Sequence, residues 1–133
     1  MTARARPAFC KSWYLPRIPK SPNEVLGGHW RKLQGERGGW RTLVAAICGK
    51  PEEPVTFRVR LRLDCVRQRL LDPDNLVGSV KPVIDALKRQ GWLQDDTPAL
   101  LKLEVAQQKG PKQLRGVYVA LRDCPEDAEC SAP

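Results

Sequence analysis

The stretch LLDPDNLVGSVKPVIDALKRQGWLQDD, residues 70–96, decides the fold of this chain. Asp72-Pro73 is typical of a helix start and Gly91 of a helix end. Between them the apolar side chains recur with the spacing of one helical face, at Leu76, Val77, Val80, Val83, Ile84 and Leu87. Pro82 leaves two interpretations open, because a proline inside a helix either kinks it or separates a short first helix from a second one.

Five aspartates lie in this stretch, although the whole chain has a net charge of +8; they are Asp72, Asp74, Asp85, Asp95 and Asp96. Carboxylates held close together repel one another unless a cation lies between them. The pair at the helix start and the pair in the loop after the helix are therefore expected to meet around a divalent cation. The alternative is that Asp72 and Asp74 cap the helix and that residues 95–98 form an ordinary turn.

Several segments around this helix have the alternating pattern of β-strands. In the clearest one, residues 55–66, one face carries arginines and the other is apolar, with Phe57, Val59, Leu61, Leu63 and Cys65. Residues 100–106 predict a second strand and residues 117–122 its partner strand, joined by a basic hairpin or longer loop, and residues 9–15 predict a weaker strand. The arginine face is either solvated or directed at a polyanion.

A short helix is predicted before the clearest strand, from apolar side chains at helical spacing and a following glycine, at Trp40, Leu43, Val44, Ile47 and Gly49. The glycines ahead of it, Gly35, Gly38 and Gly39, predict a loosened segment. Together these elements predict an α+β fold, a small mixed β-sheet packed with two main helices. We expect one domain over residues 1–122 and an acidic, disordered tail over residues 123–133.

The composition excludes several classes of protein. The chain of 133 residues contains no apolar run long enough for a membrane helix and no signal-peptide pattern at its N-terminus, so a cytoplasmic protein without a membrane partner is expected. The five cysteines form no CxxC pair and His29 is the only histidine. A zinc site and a disulfide framework are therefore not expected, although a single Cys124–Cys130 bridge is an open alternative.

The charge distribution predicts a polyanionic partner. Residues 1–50 carry ten Lys and Arg against two acids, whereas residues 72–96 carry three against five. A basic body around an acidic centre suits a nucleic-acid backbone held by cations, although a merely solvated basic surface is the alternative. The candidate DNA-binding residues are Arg58, Arg60, Arg62, Arg67, Arg69, Lys20, Asn23, Arg31, Lys32, Lys109 and Lys112.

The aspartate-rich stretch resembles the signature of the RusA family of Holliday junction resolvases, particularly its phage-type members. The matching residues are Asp72-Pro-Asp74-Asn75-Leu76, Lys81, Asp85-Ala86-Leu87, Gly91 and Asp95-Asp96. The resemblance covers about residues 55–122. It implies an intertwined homodimer that uses Mg²⁺, with Mn²⁺ able to substitute, to nick two opposing strands of a four-way DNA junction. It also implies a bacterial or phage origin and no small-molecule cofactor.

The resemblance also implies roles for individual residues. Asp72, Asp74 and Asp96 would be the catalytic metal ligands, with Asp95 as an auxiliary ligand. Lys81 would stabilise the transition state or position the attacking water, and Asp85, four residues further along one helical face, would orient Lys81. In one respect the chain departs from the shorter bacterial members, because three extra residues precede Lys81. The alternatives are a nuclease for other branched DNA, such as flaps and forks, and a non-catalytic basic DNA-binding module.

Overall fold

The computed structural model describes residues 9–21 and 30–124, with the backbone alone for residues 30–33. Four strands and three helices follow in the order β1 Cys10–Leu15, α1 Trp30–Cys48, β2 Val59–Arg67, α2 Pro73–Ser79, α3 Lys81–Gln90, β3 Leu101–Lys109 and β4 Gly116–Asp123. A 3₁₀ turn, Lys112–Leu114, lies between β3 and β4. The predicted α+β fold is confirmed, and α1 and α3 are its two main helices.

The sheet is mixed and has the strand order β1-β4-β2-β3. The predicted pairing of β3 with β4 is wrong, because β2 lies between them and pairs with both. β4 runs antiparallel to both β1 and β2, whereas β3 runs parallel to β2 with Val59 opposite Leu101 and Arg67 opposite Lys109. Parallel neighbours need a crossover connection, and here α2 and α3 supply it. The chain therefore passes directly from the carboxyl end of β2 into the aspartate-rich stretch.

One face of the sheet forms the core with α1 and α3. The predicted alternation in β2 is confirmed, since Val59, Leu61, Leu63 and Cys65 are all fully buried. The strand begins at residue 59, however, and not at residue 55 as the alternation predicts. The reason is that the Val55 N–H donates to the Gly91 carbonyl at 2.8 Å, which ties this segment to the end of α3 instead of to the sheet.

The prediction for the glycine-rich segment is wrong, because α1 runs through it without a break. Glu36 is 5% exposed and its carboxylate accepts hydrogen bonds from Arg17 Nη2 at 2.9 Å, the Lys20 N–H at 3.2 Å and Trp40 Nε1 at 3.1 Å. A Cβ atom on Gly39 would come within 2.0 Å of Arg17 Nη1. The glycine lowers helix propensity but lets the Arg17 side chain cross α1, so tertiary contacts outweigh local propensity.

Pro82 begins a new helix instead of kinking a long one. α2 ends at Ser79, Val80 adopts φ −89° and ψ −2°, and α3 begins at Lys81. Pro82 thus lies in the first turn of α3, where its missing N–H has no helical partner to lose. Gly91 ends α3 with φ +95°, as the sequence predicts.

The ends of the described segments add two facts. β4 includes Asp123, and the Cys124 N–H donates to the Arg58 carbonyl at 2.9 Å, so the sheet reaches the first residues of the expected tail. Residues 125–133, the rest of that tail, lie outside the described residues. None of the helices in residues 9–21 and 30–124 combines the length and the apolar character that a membrane crossing requires.

Candidate active site

The helix-start aspartates are exposed and available. Asp72 is the N-cap of α2, with φ −62° and ψ 150°, and its carbonyl accepts the Leu76 N–H at 2.9 Å. Its side chain makes no capping hydrogen bond. Within residues 9–21 and 30–124 neither the Asp72 nor the Asp74 carboxylate has a hydrogen-bond or ion-pair partner. The capping alternative is therefore not realised through hydrogen bonding by Asp72, and both carboxylates remain accessible to a cation.

A glutamine that the sequence analysis missed anchors this turn. Gln107, on β3, accepts the Leu71 N–H through Oε1 at 3.0 Å and donates from Nε2 to the Leu71 carbonyl at 2.6 Å. Leu71 immediately precedes Asp72, so the two bonds fix the backbone from which both aspartates project. Gln107 occupies the position opposite Cys65 in the parallel register, a pairing that no local sequence pattern reveals.

The loop after α3 returns to the start of that helix, where Asp96 meets Lys81. Lys81 Nζ donates to Asp96 Oδ2, and Asp85 Oδ1 lies 3.4 Å from the same nitrogen. The i,i+4 pairing of Lys81 with Asp85 is thereby confirmed. The hydrogen bond from Lys81 lowers the pKa of Asp96, and the same bond raises the pKa of Lys81 above its ordinary value. Lys81 therefore stays protonated at neutral pH.

Asp95, the other carboxylate of the loop after α3, makes different contacts. Asp95 Oδ1 accepts a hydrogen bond from Lys88 Nζ at 3.0 Å and another from the Asp96 N–H at 2.8 Å. In the part of the chain that the structure describes, no group of three or more His, Cys, Asp or Glu side chains is arranged to hold a metal ion. The predicted set of four carboxylates is thus not assembled around one point.

The carboxylates of Asp72 and Asp74 are nevertheless suitable ligands for magnesium. Mg²⁺ prefers oxygen ligands, keeps several waters and is usually held by one or two carboxylates together with a substrate phosphate. The exposed, unpaired carboxylates of Asp72 and Asp74 match this requirement. Asp96 has its charge partly neutralised by Lys81, so its participation requires that contact to loosen.

The arginine face of β2 is neutralised by acids within the sheet. Arg60, which is 6% exposed, donates to Glu104 Oε1 at 2.9 Å, and Arg62 pairs with Asp64 at 3.0 Å. Glu104 lies opposite Arg62 on β3, and the hydrogen bond from Arg60 lowers its pKa. These guanidinium groups are therefore less suited to DNA than their alternation suggests.

The other predicted basic residues have varied surroundings. Arg58 donates to the Pro98 carbonyl at 3.4 Å, and Arg67 is buried. The exposed members are Lys20, Arg69, Lys109 and Lys112, and Arg115 of the predicted basic loop is exposed as well. Arg31 and Lys32 lie on α1, where only the backbone is described, and Asn23 lies outside the described residues.

No protein-family model matches this chain, and no curated protein matches it with significant similarity. The resemblance to the RusA resolvases therefore depends on the identity and spacing of the motif residues alone.

Proposed function

We propose that this protein is a Mg²⁺-dependent endonuclease that cuts branched DNA, with the four-way junction as its principal substrate. The observation that carries the proposal is the exposed Asp72-Pro73-Asp74 turn, whose two carboxylates have no partner in the described residues and whose backbone Gln107 anchors. Both acids lie at the start of α2, where they complement the helix dipole, but their mutual repulsion would be relieved by a cation bound between them.

The chain's own residues divide the chemistry between them. Asp72 and Asp74 would hold Mg²⁺ (Mn²⁺ can substitute), with Asp96 as the third ligand and Asp95, which accepts the Asp96 N–H, as the auxiliary group. When bound, the metal would polarise the scissile phosphate and supply a hydroxide nucleophile. Lys81, a cation at neutral pH whether or not Asp96 holds it, would stabilise the negative charge that develops on the phosphate.

Symmetric cutting of a junction requires two such sites, and we propose a homodimer because two-fold association supplies them. The same proposal places the protein in the cytoplasm of a bacterial cell, where branched recombination and replication intermediates occur. The exposed basic residues near the ends of β2 and β3 support DNA as the partner, because clustered Lys and Arg neutralise backbone phosphates.

A non-catalytic DNA-binding module is the second candidate. It is favoured by one observation, namely that no three carboxylates are assembled into a metal site in the described residues. Such a module would bind DNA with strong salt dependence but would break no strand.

A cleavage assay separates the two candidates. Labelled four-way junctions, flaps, forks and linear duplex are incubated with the full chain in Mg²⁺ or in EDTA. We expect paired symmetric nicks in the junction that require the metal. Asp74→Asn should abolish them and leave junction binding within a few-fold of the native value, while Glu53→Gln, an exposed acid in a loop, serves as the matched control. Native-rate cutting by Asp74→Asn would refute the site, and preferential cutting of flaps would redirect the substrate.

A further inference from the structure

Arg67, the last residue of β2, is a buried cation whose hydrogen-bonding capacity is mostly unused. Its side chain is 4% exposed and Nη1 donates to the Pro19 carbonyl at 3.2 Å. Among the described residues, its Nε and Nη2 atoms have no hydrogen-bond partner and are closed off from solvent. Buried guanidinium groups are ordinarily paired with an acid, because desolvating a charge without compensation is strongly unfavourable.

Arg67 lines a cleft of about 230 Å³ that is rich in other cations. The exposed side chains of Lys20, Arg69 and Arg115 also line it, and none of the lining residues that the structure describes is acidic. Four positive charges around one opening repel one another, and an entering anion would relieve this repulsion. The cleft thus contrasts with the arginine face of β2, where Glu104 and Asp64 already supply the counter-charges.

The position of the cleft indicates which anion it takes. Leu71 forms part of its wall, and Leu71 is also the residue that Gln107 holds next to Asp72. The cleft and the candidate metal-binding turn are therefore neighbours along one segment of chain. Phosphates follow one another at short, regular intervals along a DNA strand, so a strand with one phosphate at the Asp72-Pro73-Asp74 turn presents others nearby.

We infer that this cleft is a phosphate subsite in which Arg67, supported by Lys20, Arg69 and Arg115, binds a backbone phosphate of the DNA strand beside the one to be cut. That the phosphate belongs to the cleaved DNA strand rests on the proposed function. That the cleft binds phosphate does not. The Nε and Nη2 atoms of Arg67 are closed off from solvent, so a phosphate reaches them only when the cleft opens, whereas the exposed side chains of Lys20, Arg69 and Arg115 can contact it directly. The subsite fixes the register of the strand and carries no base specificity.

The first experiment uses inorganic phosphate as the probe and needs no DNA. Thermal unfolding of the full chain is followed in phosphate and in chloride at equal ionic strength. We expect phosphate to raise the Tm of the native protein by several degrees and to have no specific effect on Arg67→Met. Because the buried Arg67 variant can fail to fold, the exposed double substitution Arg69→Ala/Arg115→Ala is measured as well and should show the same loss. An unchanged phosphate response in that double variant would overturn the inference.

The second experiment measures junction binding by fluorescence anisotropy in EDTA over a range of salt concentrations. Loss of one phosphate contact lowers the slope of log Kd against log salt by about 0.9. Arg69→Ala and Arg115→Ala should each raise Kd about tenfold and reduce the slope, whereas Arg41→Ala, an exposed arginine of α1 outside the cleft, should change Kd less than twofold. Equal effects of all three substitutions would overturn the subsite in favour of diffuse basicity.

Two further outcomes keep this inference distinct from the nuclease proposal. If the native protein cuts no DNA but the phosphate-dependent rise in Tm requires Arg67 or its neighbours, the phosphate site stands and the nuclease fails. If polyglutamate displaces a bound oligonucleotide at an equal charge concentration, the cleft serves an acidic protein partner and the DNA subsite is refuted.

Discussion

Replacing Gln107 by leucine tests whether the anchored turn matters for the proposed chemistry. The substitution removes two hydrogen bonds, at 3.0 and 2.6 Å, that join the side-chain amide to both backbone polar groups of Leu71. Each neutral bond contributes about 1 kcal/mol, and half-buried Leu71 can regain part of its solvation. We therefore expect a loss of about 1–2 kcal/mol in the free energy of unfolding.

The functional loss should exceed the loss of stability. A displacement of catalytic groups by about 1 Å reduces rates on the order of 100-fold, and loss of an outer-shell partner costs about 10–100-fold in metal affinity or activity. Gln107→Leu should therefore slow junction cleavage about 10–100-fold and raise the Mg²⁺ concentration needed for half-maximal rate. Gln107 acts through Leu71, so it is a positioning residue.

The neighbouring glutamine is the matched control. Gln108 is exposed and lies on the other face of β3, so Gln108→Leu should change the unfolding free energy by less than about 0.5 kcal/mol and leave cleavage intact. Urea unfolding followed by tryptophan fluorescence gives the stability of each variant, and single-turnover cleavage over a Mg²⁺ series gives the activity. If Gln107→Leu and Gln108→Leu cut at the same rate, the anchoring role is refuted.

Two further predictions concern buried and charged groups. Glu36→Ala should cost about 2–3 kcal/mol in urea unfolding, because it breaks a buried pair whose partner Arg17 is 34% exposed and can be re-solvated. Burial alone would raise the pKa of Glu36, but hydrogen bonds from Trp40, Arg17 and Lys20 outweigh it and lower the pKa below 4.5. Ionised Glu36 therefore stabilises the folded protein fully above pH 4.5, and this stabilisation is lost as the pH falls through the lowered pKa of Glu36. If the difference in unfolding free energy between the native protein and the variant persists undiminished in acid, the assignment is contradicted. Lys81→Met should slow cleavage about 10²–10³-fold and change junction affinity far less, with exposed Lys50→Met as the control; equal rates for the two variants would remove Lys81 from the chemistry.

The sequence predicted those parts of the fold that depend on local periodicity. The alternation in β2, the apolar stripe of α3 and the glycine that ends this helix were all visible in the residue pattern. The extent of α1 was not, because it depends on Glu36 meeting Arg17 and Lys20, which are distant in sequence. The role of Gly39 could not be predicted for the same reason, because the missing side chain leaves space for Arg17, which is distant in sequence.

In the candidate site, too, local spacing predicts some features, and contacts between residues distant in sequence determine the others. The aspartates and Lys81 follow from motif spacing, and the pairing of Lys81 with Asp85 follows from helical geometry. The role of Gln107 and the neutralisation of Arg60 by Glu104 depend on the parallel register of β2 and β3, which the alternation within either strand does not specify. Arg67 has two buried donor atoms without a partner in the described residues, and this feature depends on packing that composition does not reveal.

The proposed nuclease function depends most on the binding of a divalent ion at Asp72 and Asp74. A Mn²⁺ titration of the DNA-free protein, followed by electron paramagnetic resonance, measures this binding directly. The native chain and the Glu52→Gln/Glu53→Gln control should bind Mn²⁺ with the same affinity, and added Mg²⁺ should compete. Asp72→Asn/Asp74→Asn, which removes both unpaired carboxylates and leaves the Lys81–Asp96 contact in place, should lose this binding. Native-like Mn²⁺ binding by that double variant, or none by the native protein, would contradict the account.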